Sequence, residues 1–120
     1  MTQETKLLDS DAMYRKLMET GEAWADAKAA YDALDRVSAS VLADLTQAYR
    51  TPGGEHEAQG CTRAEAETMA RRSNHYRDHL ASVAVAHKAY LRAQVRYDSL
   101  RTLVELRRSE ESTRRAELRL

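Results

Sequence analysis

The chain has 120 residues, room for one domain, and its charged fraction of 32%, single proline, four glycines and absence of phenylalanine lean towards helix rather than sheet. Its formal charge of zero weighs against the strong overall field of a dedicated nucleic-acid-binding domain. Regularly spaced apolar residues also argue against disorder.

The zero conceals an asymmetry. Residues 1–60 carry 6 Lys+Arg against 11 Asp+Glu, and residues 61–120 carry 13 against 8, so the halves are −5 and +5. The plain reading is attraction between an acidic first helix and a basic second one. The sharper reading is an acidic partner such as nucleic acid. Arginine outnumbers lysine by 15 to 4, which suits planar contacts to carboxylate or phosphate. Cys61, the lone cysteine, cannot form an internal disulfide. No run has the length to span a membrane, and the polar start Met1-Thr2-Gln3-Glu4-Thr5-Lys6 lacks the order of a signal peptide. The expected setting is the cytoplasm, without membrane association.

In chain order, Asp9 offers an N-cap, with Leu8 and Met13 placed for a hydrophobic staple. A heptad then runs through Leu17, Trp24, Tyr31, Ser38 and Leu45 in one register and Met13, Thr20, Ala27, Leu34, Val41 and Ala48 in the other. This predicts a helix over about residues 10–50, ended by Thr51-Pro52-Gly53-Gly54. Residues 51–61 form the expected loop. Thr62-Arg63-Ala64-Glu65 matches a capping box and opens a second helix over about residues 62–119. Its seam is read through Met69, Ser73, Tyr76, Leu80, Val83, His87, Tyr90, Gln94, Tyr97 and Val104. The weakest point is Arg72-Ser73-Asn74, where a break would add a helix; continuity is the expectation.

The fold class is therefore all-α, a long antiparallel helical hairpin forming a single domain over residues 1–120. At the standard rise the first helix reaches about 60 Å and the second about 85 Å. Residues 107–120 are then expected to overhang as a charged helical tail. Pairs Glu110–Arg114, Glu111–Arg115 and Arg107–Glu111 would support it, each by about 0.2–0.5 kcal/mol. Beside the first seam stand Ala23, Ala30, Val37 and Leu42, and beside the second Ala70, Ala84, Ala86, Leu91, Ala93 and Leu100. Stripes that wide suit a bundle of three or four helices, and a homodimer of hairpins is the expected assembly.

Few residues suggest chemistry. His75 and His79 lie one helical turn apart, with His56, Glu57 and Cys61 nearby, but HxxxH without the glutamate of HExxH describes solvent-facing histidines more often than ligands. His87 and Gln94 interrupt the second seam and, with Tyr31, Tyr76, Tyr90 and Tyr97, could form a polar pocket; the commoner role of such residues is to fix register. No catalytic residue, metal ligand or cofactor is assigned.

The last third, Tyr97-Asp98-Ser99-Leu100-Arg101-Thr102-Leu103-Val104-Glu105-Leu106-Arg107-Arg108-Ser109-Glu110-Glu111-Ser112-Thr113-Arg114-Arg115-Ala116-Glu117, resembles the ends of small helical proteins of unknown function found in bacteriophage genomes. The resemblance implies a host cytoplasm and an accessory role, binding a larger recombination, packaging or host-defence complex. Short secreted hairpins with a central Trp-x-Gly turn are a poorer fit, since Trp24 lies mid-helix. The expectation is a non-enzymatic interaction protein that presents Arg107, Arg108, Arg114, Arg115 and Arg119 to a protein partner. The alternative is a nucleic-acid-binding accessory protein using Arg92, Arg96, Arg107, Arg108, Arg114 and Arg115.

Overall fold

A computed structural model describes residues 3–51 and 62–119, with side chains described from Ser10 onward. The described residues are almost entirely helical and contain no strand. Four helices follow in order: α1, Gln3–Arg36; α2, Ser38–Arg50; α3, Arg63–Arg72; and α4, Asn74–Leu118. None of them is long and apolar enough to cross a membrane.

The first helix begins well before Asp9, at Gln3, so the expected N-cap and staple give way to helix interior. The physical reason is that Gln3, Glu4, Lys6, Leu7 and Leu8 are good helix formers with no proline or glycine among them. At the other end the expected single helix is interrupted at Val37 (φ −87°, ψ −2°), which stays in the right-handed region; the ladder resumes with Val41 N–H donating to its carbonyl at 2.9 Å. Val37, Ser38 and Ser40 are weak helix formers, and the Ser38 hydroxyl reaches the Leu34 carbonyl at 3.4 Å. Thr51 is extended (φ −77°, ψ 119°), as the residue before a proline prefers.

The capping box is formed: the Glu65 N–H donates to Thr62 Oγ1 at 3.2 Å and the Thr62 N–H to Glu65 Oε2 at 3.3 Å. Continuity through Ser73 is not observed. Ser73 takes an extended conformation (φ −64°, ψ 148°); its hydroxyl donates to the Ala70 carbonyl at 2.6 Å and accepts the Tyr76 N–H at 3.2 Å. One side chain thus closes α3 and opens α4, which offsets the loss of the regular ladder there.

A 34-residue helix is about 50 Å long, so its two ends belong to different neighbourhoods. The chain gathers into two compact units. Unit 1 is Met1–Lys28 with Ala89–Leu120, and unit 2 is Ala29–Lys88. In unit 2 a small core forms where Leu45, Ala70 and Tyr76 pack together with Val41, Leu42 and Tyr49 against them. In unit 1 α1 and α4 pair antiparallel: Tyr14 meets Arg108, and Gly21 and Trp24 meet Tyr97. The only buried side chains among its described residues are Ala93 and Val104.

The expected heptad of α1 and α2 faces inward throughout, from Met13 and Leu17 to Leu45 and Ala48. The second seam differs in part. Ser73, Tyr76, Val83, Tyr90, Gln94, Tyr97 and Val104 face inward as expected, and His79, Ala86, Ala93 and Leu100 join them, while Met69, Leu80 and His87 are exposed. Of the flanking residues, Ala70 and Ala93 are buried and Leu42, Ala86 and Leu100 half-buried; Ala23, Ala30, Val37, Ala84 and Leu91 remain exposed.

Candidate interaction site

The apolar seam of α4 ends at Val104, and the next inward positions in the same heptad fall on Arg107 and Glu111. There the two helices of unit 1 leave a cavity of about 330 Å³. From α4 it is lined by Val104, Arg107, Arg108, Glu111 and Arg115, and from α1 by Ser10, Met13 and Tyr14. The Arg108 guanidinium carbon lies 5.0 Å from the centroid of the Tyr14 ring, a cation–π contact worth about 0.5–1 kcal/mol at an exposed site.

Across this cavity Arg107, Arg108, Glu111 and Arg115 stand level with Ser10, Met13 and Tyr14 of α1. Residues 107–115 remain exposed, and no described residue after Val104 is buried. The expected pairs Glu110–Arg114, Glu111–Arg115 and Arg107–Glu111 are not closed. Ion pairs within 4.0 Å among the described residues join Glu67 to Arg71 at 2.9 Å and Arg101 to Glu105 at 3.3 Å. Solvated guanidinium and carboxylate groups gain little from pairing at the surface, and side-chain entropy opposes it.

The arginines singled out from the sequence thus divide. Arg107, Arg108 and Arg115 share the cavity; Arg114 and Arg119 are exposed and do not line it. Arg96 lines a second cavity, of about 450 Å³, on the opposite flank of unit 1 with Lys16, Thr20, Val95, Ser99, Leu100 and Leu103. Arg92 is exposed one turn from Arg96. Sequence reading missed the contributions of Ser10, Met13 and Tyr14 although all three lay within the expected first helix, because which residues of an antiparallel pair stand level is decided by packing and not by either helix alone.

The histidines lie among the tyrosines. In unit 2, His79 Nε2 lies 2.8 Å from Ser38 Oγ, and its ring centroid is 6.5 Å from that of Tyr76. The His87 and Tyr31 centroids are 4.7 Å apart. In unit 1, Trp24 stacks on Tyr97 with centroids 5.1 Å apart. Of the residues expected to interrupt the seam, His87 is exposed beside Tyr31 and Gln94 is half-buried next to the buried Ala93. His56, Glu57 and Cys61 lie outside the described residues, among which no group of three or more potential metal ligands occurs. Comparison with protein-family models, with curated proteins and with solved structures finds no match.

Proposed function

We propose that this chain is a non-enzymatic interaction protein that self-associates into a dimeric helical bundle and offers the arginine-rich end of α4 to an acidic segment of a partner protein. The observation that carries the reading is the gathering of Arg107, Arg108 and Arg115 around one cavity with Tyr14, with no carboxylate within 4.0 Å of their guanidinium groups among the described residues. Each guanidinium presents N–H donors in a planar fork that matches a carboxylate. Met13 and Val104 supply an apolar floor. That combination fits a peptide in which carboxylates flank an apolar side chain. Arg108 and Arg115 are one heptad apart, about 10 Å along the helix, so carboxylates two helical turns apart in a helical ligand would match them.

Self-association has its own support. A helix pair whose described buried side chains are Ala93 and Val104 alone gains little from its own core, since a fully buried valine contributes about 1.5–3 kcal/mol. The accessory setting in a phage-infected host, implied by the resemblance of residues 97–117, belongs to the same reading.

Fluorescence anisotropy with the purified full chain tests the site. A labelled acidic peptide with leucines between its carboxylates should bind at micromolar concentration, and R107A/R108A/R115A should weaken it at least tenfold with helicity unchanged. Equal binding by the triple variant would overturn the assignment. Labelled DNA and RNA run in parallel address the alternative reading. Micromolar nucleic-acid binding that falls steeply between about 50 and about 200 mM salt would favour phosphate over carboxylate as the ligand.

A further inference from the structure

We propose that the flank of unit 1 carrying Val95 and Leu103 is the face on which a second copy of this chain docks, with α1 of each protomer lying on α4 of the other. The inference rests on the self-association proposed above and assigns it a surface and a register. Val95 is 63% exposed and Leu103 45% exposed, and with Thr20 and Leu100 they border the cavity of about 450 Å³. Ala23, one turn from Thr20, extends the same apolar strip.

Charge selects the occupant. On this flank the α1 side carries Glu19 and Asp26, each one turn from Ala23, and the α4 side carries Arg92 and Arg96, each one turn from Val95 or Ser99. All four are exposed and form no ion pair within 4.0 Å among the described residues. The strip is therefore apolar in the middle, acidic along one edge and basic along the other. Such a surface is complementary to itself under one two-fold operation.

An axis lying in the interface and parallel to the helices sets α1 of one copy on α4 of the other at the same height. The pairing of Trp24 with Tyr97 places Asp26 level with the turn from Arg92 to Arg96, so acid meets base at both ends of the operation. An axis perpendicular to the helices would instead stack α1 on α1 and α4 on α4, acid on acid and base on base. The favoured arrangement is a four-helix bundle in which every neighbour runs antiparallel. Lys16 does not oppose the arginines in this register. It falls near Leu103 and Leu106, where its methylene stem covers apolar surface while the ammonium stays in water. The opposite flank suits a second copy less well. There α4 carries both signs through Asp98, Arg101, Glu105 and Arg108, and Arg101 already pairs with Glu105 at 3.3 Å.

Complementary charge reversal tests the register. Full-length D26R and the double variant R92E/R96E are each examined by sedimentation equilibrium at tens of micromolar, under reducing conditions, and then mixed in equal amounts. The wild type should show twice the 13.6 kDa chain mass. Each variant alone should dimerise at least tenfold more weakly. The mixture should recover the dimer, because the guanidinium introduced by D26R in one chain then faces the two carboxylates introduced by R92E/R96E in the other, while the native pairing survives at the second contact. Recovery on mixing distinguishes a lost interface from a lost fold, since it requires both chains to regain structure together. Variants that dimerise as tightly as the wild type would overturn this surface and leave self-association standing. So would a mixture that fails to recover. A wild-type chain that is monomeric at these concentrations would remove self-association itself.

Discussion

At Gly21 a residue that costs about 1 kcal/mol relative to alanine in a helix interior is tolerated because a Cβ there would lie 3.2 Å from Tyr97 Cε2. Gly21→Ala should therefore gain little in the wild-type chain but about 1 kcal/mol in a Tyr97→Ala background, where the ring is absent. Urea denaturation of the four chains measures that coupling, and additive effects would show that the ring does not govern the site. The neighbouring Trp24 has a buried Nε1 with no acceptor among the described groups, and an unsatisfied buried donor costs about 1–3 kcal/mol. Trp24→Phe should accordingly leave the melting temperature unchanged or raised, whereas Trp24→Ala, which also loses the stacking on Tyr97, should lower it. His79 illustrates what a sequence leaves open at this scale. Its spacing from His75 read as a pair of solvent-facing histidines, yet His79 is half-buried and its Nε2 lies 2.8 Å from Ser38 Oγ, forty-one positions away.

Helix boundaries depend on single side chains as much as on composition. Thr62 and Ser73 each supply caps that the backbone would otherwise lack. Thr62→Ala and Ser73→Ala should each lower stability by about 1 kcal/mol, read from the urea midpoint, and a neutral effect at Ser73 would mean that α3 and α4 fuse without cost. The last helical turns behave differently. Truncation after Leu106 removes no buried side chain among the described residues and forfeits chiefly the Arg108–Tyr14 contact, so thermal stability should change by at most about 1 kcal/mol while peptide binding is lost. Marked unfolding of that truncation would assign the segment a structural duty instead. The capping box and the turn before Pro52 were legible because each needs only residues adjacent in sequence. The Ser73 break was visible as a weakness but not as a break, because its outcome depended on which hydrogen bonds one hydroxyl would make.

Across the whole chain the zero net charge is a balance between two oppositely charged halves, and both proposed contacts use that separation. The strongest packing among the described residues lies in unit 2. Leu45→Ala there should cost about 2–4 kcal/mol, detectable as a lower urea midpoint, while removal of the exposed Met18 side chain should cost almost nothing. Sequence alone determined the all-α class, the inward heptad from Met13 to Ala48 and the start of α3, since periodicity and local capping are properties of neighbouring residues. Tertiary structure decided which α4 positions turn inward, because Leu80 is as plausible as His79 until the packed helices bring Ser38 within 2.8 Å of His79. It also decided that Ser10, Met13 and Tyr14 join Arg107, Arg108 and Arg115, a grouping that arises only when residues nearly a hundred positions apart are brought to the same level of an antiparallel helix pair.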